Sequence, residues 1–242
     1  MRKLLLSFCV FITVTGYSYA GVLENHTAHI LQQIEVSEEN FNKYLSSEKV
    51  LPDNTALSAV VIVERPEGFD DTEDVYQYHI LLVDNESGKV ISSAAKEEPL
   101  VLDVTRLTDI IIDTAPYTVQ KNNWAFGISI STTGSSRMTP FFETRMSLYI
   151  QKGSSLVKIL DGFPIREEEG QMEGICAKYY DKTKRILIMS DNATKGFKNI
   201  TIKETFNHIE TKSDEQEEEC ITVFTETKIK HTTLKFDGKE YK

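Results

Sequence analysis

The chain contains three cysteines, five histidines and two dense acidic runs, the residue types with chemistry beyond packing. His26 and His29 stand at i, i+3, where a helix would aim both rings the same way, but a metal site needs a third ligand at fitting spacing and no HExxH-type signature accompanies them. The runs Asp70-Asp71-Thr72-Glu73-Asp74 and Glu215-Gln216-Glu217-Glu218-Glu219 offer hard oxygen ligands suited to Ca²⁺. They lack the regular Asp-x-Asp-x-Asp-Gly spacing that wraps a loop around one ion, and they read as solvated loops. Thr133-Gly134-Ser135-Ser136 presents hydroxyls in a glycine-containing loop, without a GxSxG elbow or an adjacent base. Paired carboxylates could come from any two strands and leave no local motif, so glycan hydrolysis stays the alternative reading. No catalytic residue, cofactor or metal ligand is assigned, and the expected protein is not an enzyme.

Residues 1–20, MRKLLLSFCVFITVTGYSYA, have two cations, an apolar run from Leu4 to Val14, and Ser18 and Ala20 at −3 and −1 before Gly21. That is the pattern of a secretory signal peptide; the apolar run of roughly 11 residues is too short for the roughly 20 of a membrane anchor. Loss of this leader removes Cys9 and leaves Cys176 and Cys220, which in an oxidising compartment form one disulfide. It also removes Arg2 and Lys3, taking the net charge from −10 to −12. An acidic chain with no basic patch is a poor general nucleic-acid binder. The expected location is periplasmic or secreted, with no membrane span; the short two-cation leader and single disulfide fit a Gram-negative periplasm. In a eukaryotic secretory pathway, Asn25, Asn85, Asn192 and Asn199 would instead be glycan acceptors on surface turns.

The elements that would position such groups are almost all strands. Ile30, Leu31 and Ile34 mark an amphipathic turn, and Ser37 is placed to cap a second short helix carrying Phe41, Tyr44 and Leu45. The N-terminal helical segment is therefore 21–57, and 58–242 is an all-β domain. From Ala59 onward, β-branched and aromatic runs alternate with turn residues, predicting twelve strands. Among them, Gly174–Tyr180 and Arg185–Met189 are separate strands, as are Cys220–Glu226 and Thr232–Phe236. Turns at Asp84–Gly88, Gln151–Ser154 and Asp191–Gly196 predict antiparallel hairpins. The sheets are a sandwich or incomplete propeller-like, since Gly153, Gly196 and Gly238 recur at 43 and 42 residues, within the propeller-blade period. Arg65–Asp74 and Lys212–Glu219 are the expected loops.

Two patches carry a resemblance. Leu81-Leu82-Val83-Asp84-Asn85-Glu86-Ser87-Gly88-Lys89-Val90-Ile91 resembles the outer hairpin of a β-propeller blade. Thr233-Leu234-Lys235-Phe236-Asp237-Gly238-Lys239-Glu240-Tyr241 is similar to the closing strands of exported bacterial β proteins. In overall character the chain also resembles periplasmic immunity proteins and periplasmic inhibitors of lysozyme, which implies capture of a basic toxin or cell-wall hydrolase. The candidate contacts are Trp124 as an aromatic anchor and Glu217, Glu218 and Glu219 as steering charge. A carbohydrate-binding or envelope-structural module is a further alternative.

Overall fold

The computed structural model describes residues 21–70, 74–121, 123–174, 176–214 and 219–242; the leader lies outside them. One helix, α1 (Val22–Gln33), precedes twelve strands: β1 (Ser47–Leu51), β2 (Asn54–Glu64), β3 (Asp74–Asp84), β4 (Val90–Ala94), β5 (Leu100–Leu102), β6 (Thr105–Gln120), β7 (Asn123–Gly134), β8 (Phe141–Lys152), β9 (Ser155–Glu173), β10 (Cys176–Thr194), β11 (Phe197–Asp214) and β12 (Glu219–Leu234). The protein is all-β with a short N-terminal helix.

The strands form one continuous sheet that curls into a nearly closed barrel. β1 to β4 run antiparallel; β4 joins β9 in the single parallel pairing among the named strands; β9 continues antiparallel through β8 and β7 to β6. The remaining gap, between β6 and β1, is spanned by side chains. Ser47 Oγ donates to the Ile110 carbonyl and Lys49 Nζ to that of Ile112, both at 3.3 Å. From the far half of β9 the sheet then departs through β10, β11 and β12.

Side-chain alternation explains why the central strands are apolar without interruption. On β2, Val60 and Ile62 face Ile30 and Leu31 of α1, while Ala59, Val61 and Val63 point into the barrel against Ile110, Ile112, Phe126 and Ile128. The barrel strands β7 and β8 are covered on their outer side too. There Ala125, Met146, Leu148 and Ile150 pack against Phe197, Ile200 and Ile202 of β11 and against Phe236 and Tyr241. Strands covered on both faces must carry apolar residues at every position.

Hairpins form at the three predicted places, but strands run to Lys152 and Thr194, so the last two turns are only Gly153-Ser154 and Lys195-Gly196. The glycines spaced by about 43 residues all have positive φ, +62° at Gly153, +82° at Gly196 and +111° at Gly238, the last between the bridged Phe236 and Tyr241. Other expectations need correction. The segment 21–57 is helical only in α1; it also holds β1 and the start of β2. Ser37 makes the expected cap bond, its Oγ accepting from Asn40 N, but a single turn follows and no second helix, because the Asn42 carboxamide oxygen accepts from Tyr44 N and Leu45 N and closes a turn instead. Tyr44 is left 88% exposed. Of the two predicted strands Gly174–Tyr180 and Arg185–Met189, Cys176–Tyr180 and all of the second belong to the single strand β10, and β12 is likewise unbroken through 226–232. Lys212–Asp214 is strand, not loop.

Candidate partner interface: the β10–β12 arm

Ile202 is the last residue of β11 in the apolar core. Beyond it the three strands run on as an arm with little covering either face. All residues of β12 except Glu226 and Leu234 are exposed. Phe224 is 48% and Ile229 59% exposed; Ile186, Ile221 and Val223 are similarly bare. Such a ribbon is marginal on hydrophobic burial alone, so other forces must hold it.

Three charged clusters do so, stepping along the arm. Nearest the body, Arg185 Nε reaches Glu204 at 2.7 Å, and its Nη1 bonds both Glu167 and the Pro164 carbonyl. Next, Glu168 accepts from Arg166 at 2.6 Å, from Lys182 at 2.8 Å and from the Tyr180 hydroxyl. Burial of Glu168 raises its pKa, but the bonds from Lys182, Tyr180 and Arg166 outweigh this and bring it to about 2. Farthest out, His208 places Nδ1 2.5 Å from Asp181 and Nε2 3.1 Å from Glu210, with its ring against Tyr179 and Phe224. Both nitrogens can donate at once only in the imidazolium, so these bonds to Glu210 and Asp181 raise the His208 pKa. The end is closed by the disulfide between Cys176 and Cys220, with Cα atoms 5.5 Å apart.

Two pH windows follow. The depressed Glu168 contributes stability above its unfolded pKa near 4.5, and this is lost as pH falls toward about 2. The raised His208 acts oppositely: its contribution is complete below the unfolded value near 6.5 and is lost as pH rises through the folded pKa. Hydrogen exchange, corrected for intrinsic rate, is expected to open the β11 amides around His208 between neutral and alkaline pH. His208→Gln should abolish that dependence; an unchanged profile would refute the imidazolium assignment.

Level with the outermost cluster, Gly170 of β9 pairs with Tyr180 of β10, and its N–H donates to Pro140 O at 3.1 Å. A Cβ there would lie 2.8 Å from the Tyr179 carbonyl oxygen, so the strands approach too closely for any side chain.

The predicted contact residues are not brought together. Trp124 is half-buried on β7, paired with Thr118, and lines a cavity of about 460 Å³ with Pro52, Gln120, Phe126 and Gln151 at a barrel mouth. Gln120 donates to Gly196 O at 3.3 Å, which places this mouth beside the start of β11. Glu219 is exposed at the other end, paired with Asp214; Glu217 and Glu218 lie outside the described residues. Eighteen residues of β11 separate the two places, about 55 Å of extended chain. Trp124 and the acidic tip therefore cannot form one patch.

A second cluster went unassigned in the sequence. His79 Nε2 sits 2.7 Å from Glu64 Oε1, both nearly buried, with Lys96 Nζ 3.9 Å from the same oxygen, in a cleft of about 670 Å³ between β3, β4 and the chain after α1. The two residues are 15 apart in sequence and meet only because β2 and β3 pair. No hydroxyl or thiol side chain is hydrogen-bonded to His79 among the described residues. Of the possible glycan acceptors, Asn199 is buried with its carboxamide oxygen accepting from Thr194 Oγ1 at 2.8 Å, and Asn85 Nδ2 donates to Thr55 O at 2.9 Å. Asn199 is thus unavailable to a glycan in the folded protein.

No match emerges when the chain is compared with protein-family models, curated proteins and solved structures. Among the described residues, no helix is long and apolar enough to cross a membrane.

Proposed function

We propose that the chain is an exported, periplasmic or secreted protein-binding module that neutralises a basic secreted toxin or lysozyme-like enzyme, as an inhibitor or immunity protein. The observation that supports this reading is the arm: a stiffened three-stranded ribbon that exposes Phe224, Ile186, Ile221 and Ile229 instead of burying them. Exposed apolar residues on a rigid framework supply the affinity of a protein interface, because burying them costs little ordering entropy. Net negative charge, with acidic residues crowding 214–219, speeds the approach of a basic partner.

The test is neutralisation of purified basic muramidases and secreted toxins, followed by binding kinetics on any that are inhibited. Association should slow steeply as the Debye length falls from about 10 Å to about 3 Å, with dissociation little changed. The triple variant Glu217→Gln, Glu218→Gln, Glu219→Gln should reproduce part of that slowing. Phe224→Ala should instead speed dissociation. Hydrolysis of peptidoglycan by the purified protein itself, abolished by changing one carboxylate, would overturn the reading in favour of an enzyme.

A further inference from the structure

The outer backbone edge of β12 pairs with nothing among the described residues: the strand closes the order β9-β10-β11-β12, with β11 on its other side. An open edge of this length is a template for another strand, and proteins ordinarily block it with proline, a bulge or charge. Residues 219–234 read ECITVFTETKIKHTTL, with no proline or glycine, and their one bulge, at Val223, leaves the stretch from Phe224 onward regular. Charge is present, but unevenly. The first half carries Glu219 and Glu226; the second carries Lys228, Lys230 and His231, with Lys235 following.

We propose that β12 pairs antiparallel with β12 of a second copy of this chain, about a two-fold axis through Thr227. In an antiparallel pair, opposed residues alternate between hydrogen-bonded and non-hydrogen-bonded sites, so residue i cannot oppose i+1 of an identical strand. The axis must therefore pass through a residue, and few choices exist. An axis at Glu226 stacks carboxylate on carboxylate, and one at Lys228 stacks ammonium on ammonium. An axis at Ile229 opposes Lys228 to Lys230. At Thr227 every opposition in the regular stretch 224–230 is compatible: Glu226 meets Lys228, Thr225 meets Ile229, and Phe224 meets the stem and charge of Lys230. That axis also falls at the middle of the strand, and the bulge at Val223, where the β11 pairing jumps from Phe224 to Thr222, bounds the paired stretch in each copy.

The lysines that would repel a chance neighbour are the same residues that specify this register. Glu226 and Lys228 of one strand are already 2.8 Å apart, so the dimer would surround its axis with four charges of alternating sign. Like charges directly opposite are unfavourable, which disfavours the axes at Glu226, Lys228 and Ile229 and a parallel arrangement, while an axis at Thr225 sets Glu226 against Phe224 and Lys228 against Thr222 and so forms no Glu–Lys pair. Pairing along the edge leaves both faces of the arm open, so this inference stands apart from the identity of any foreign partner.

Sedimentation of the exported protein at low salt should show a concentration-dependent dimer that weakens as salt rises. Glu226→Lys should weaken it about tenfold, since two symmetric contacts change sign, and the double variant Glu226→Lys, Lys228→Glu should restore it. Thr227→Cys should form an intermolecular disulfide under mild oxidant, because self-opposed residues have Cα atoms within bridging distance, whereas Thr225→Cys should not. Circular dichroism confirms that each variant is folded. A monomer at all salts and concentrations overturns the proposal, as does a dimer indifferent to Glu226→Lys or cross-linked only from another position.

Discussion

Phe197→Ala is expected to destabilise the protein by about 3–5 kcal/mol, among the largest effects of any single truncation. Phe197 opens β11 at the point where the arm rests on the barrel. Its ring stacks on Phe236 with centroids 3.9 Å apart, and Tyr241 meets both rings edge-on. The same group anchors the C-terminus: Tyr241 N donates to Ile159 O, and its hydroxyl donates to Lys198 O, each at 2.7 Å. Burial pushes the Tyr241 hydroxyl pKa up, so that bond persists across the physiological range. Removing the Phe197 ring leaves a cavity that two fixed aromatic rings cannot close, adding a packing loss to the lost transfer energy. Urea unfolding measures the loss. A change below about 1 kcal/mol would mean that Ile200 and Ile202 alone seat the arm.

The strands of the barrel were legible because two-sided burial writes itself as apolar runs such as Ala59–Val63 and Ile80–Val83. The arm was not, for a definite physical reason. Asp181-Lys182-Thr183-Lys184 has the composition of a turn, yet it runs straight because Asp181 finds His208, Lys182 finds Glu168, and Arg185 just beyond finds Glu167 and Glu204. Those partners lie on neighbouring strands, out of reach of a local reading. Thr227-Lys228-Ile229-Lys230-His231 also reads as a break, yet it is mid-strand, held by its ladder to Lys203–Asn207 of β11 and by Thr227 Oγ1 donating to Asn207 Oδ1. The second helix failed because Asn42 offers its side chain to local amides, competing with helical bonds. At the candidate site, cysteine arithmetic found the disulfide and composition found the acidic tip, whereas the long β11 that parts the tip from Trp124 was hidden by the missed charge pairing.

The second large expected effect is loss of the disulfide. Cys176→Ala with Cys220→Ala should cost 2–4 kcal/mol, approaching the roughly 4 kcal/mol that chain entropy gives for a closure spanning 44 residues. The bond joins the start of β10 to the start of β12 and so encloses β10 and β11. Leu187, Met189, Phe197, Ile200 and Ile202 tie this loop to the apolar core; the far end relies on hydrogen bonds and partly hydrated ion pairs. Without the covalent link that end should fray first. Amide exchange should accelerate most near Cys220 and His208, while β2, buried on both faces, stays protected until global unfolding. Trp124, the single tryptophan, sits at the opposite end of β11 and so reports the body separately from the arm. Its fluorescence transition should lag the loss of arm protection in the double variant and coincide with it in the parent protein. Unaltered protection around Cys220 would show that the ladder and its charged clusters close the arm unaided. If protection is lost, partner neutralisation and β12 pairing should fail together under reducing conditions, because both require the arm to be rigid before contact.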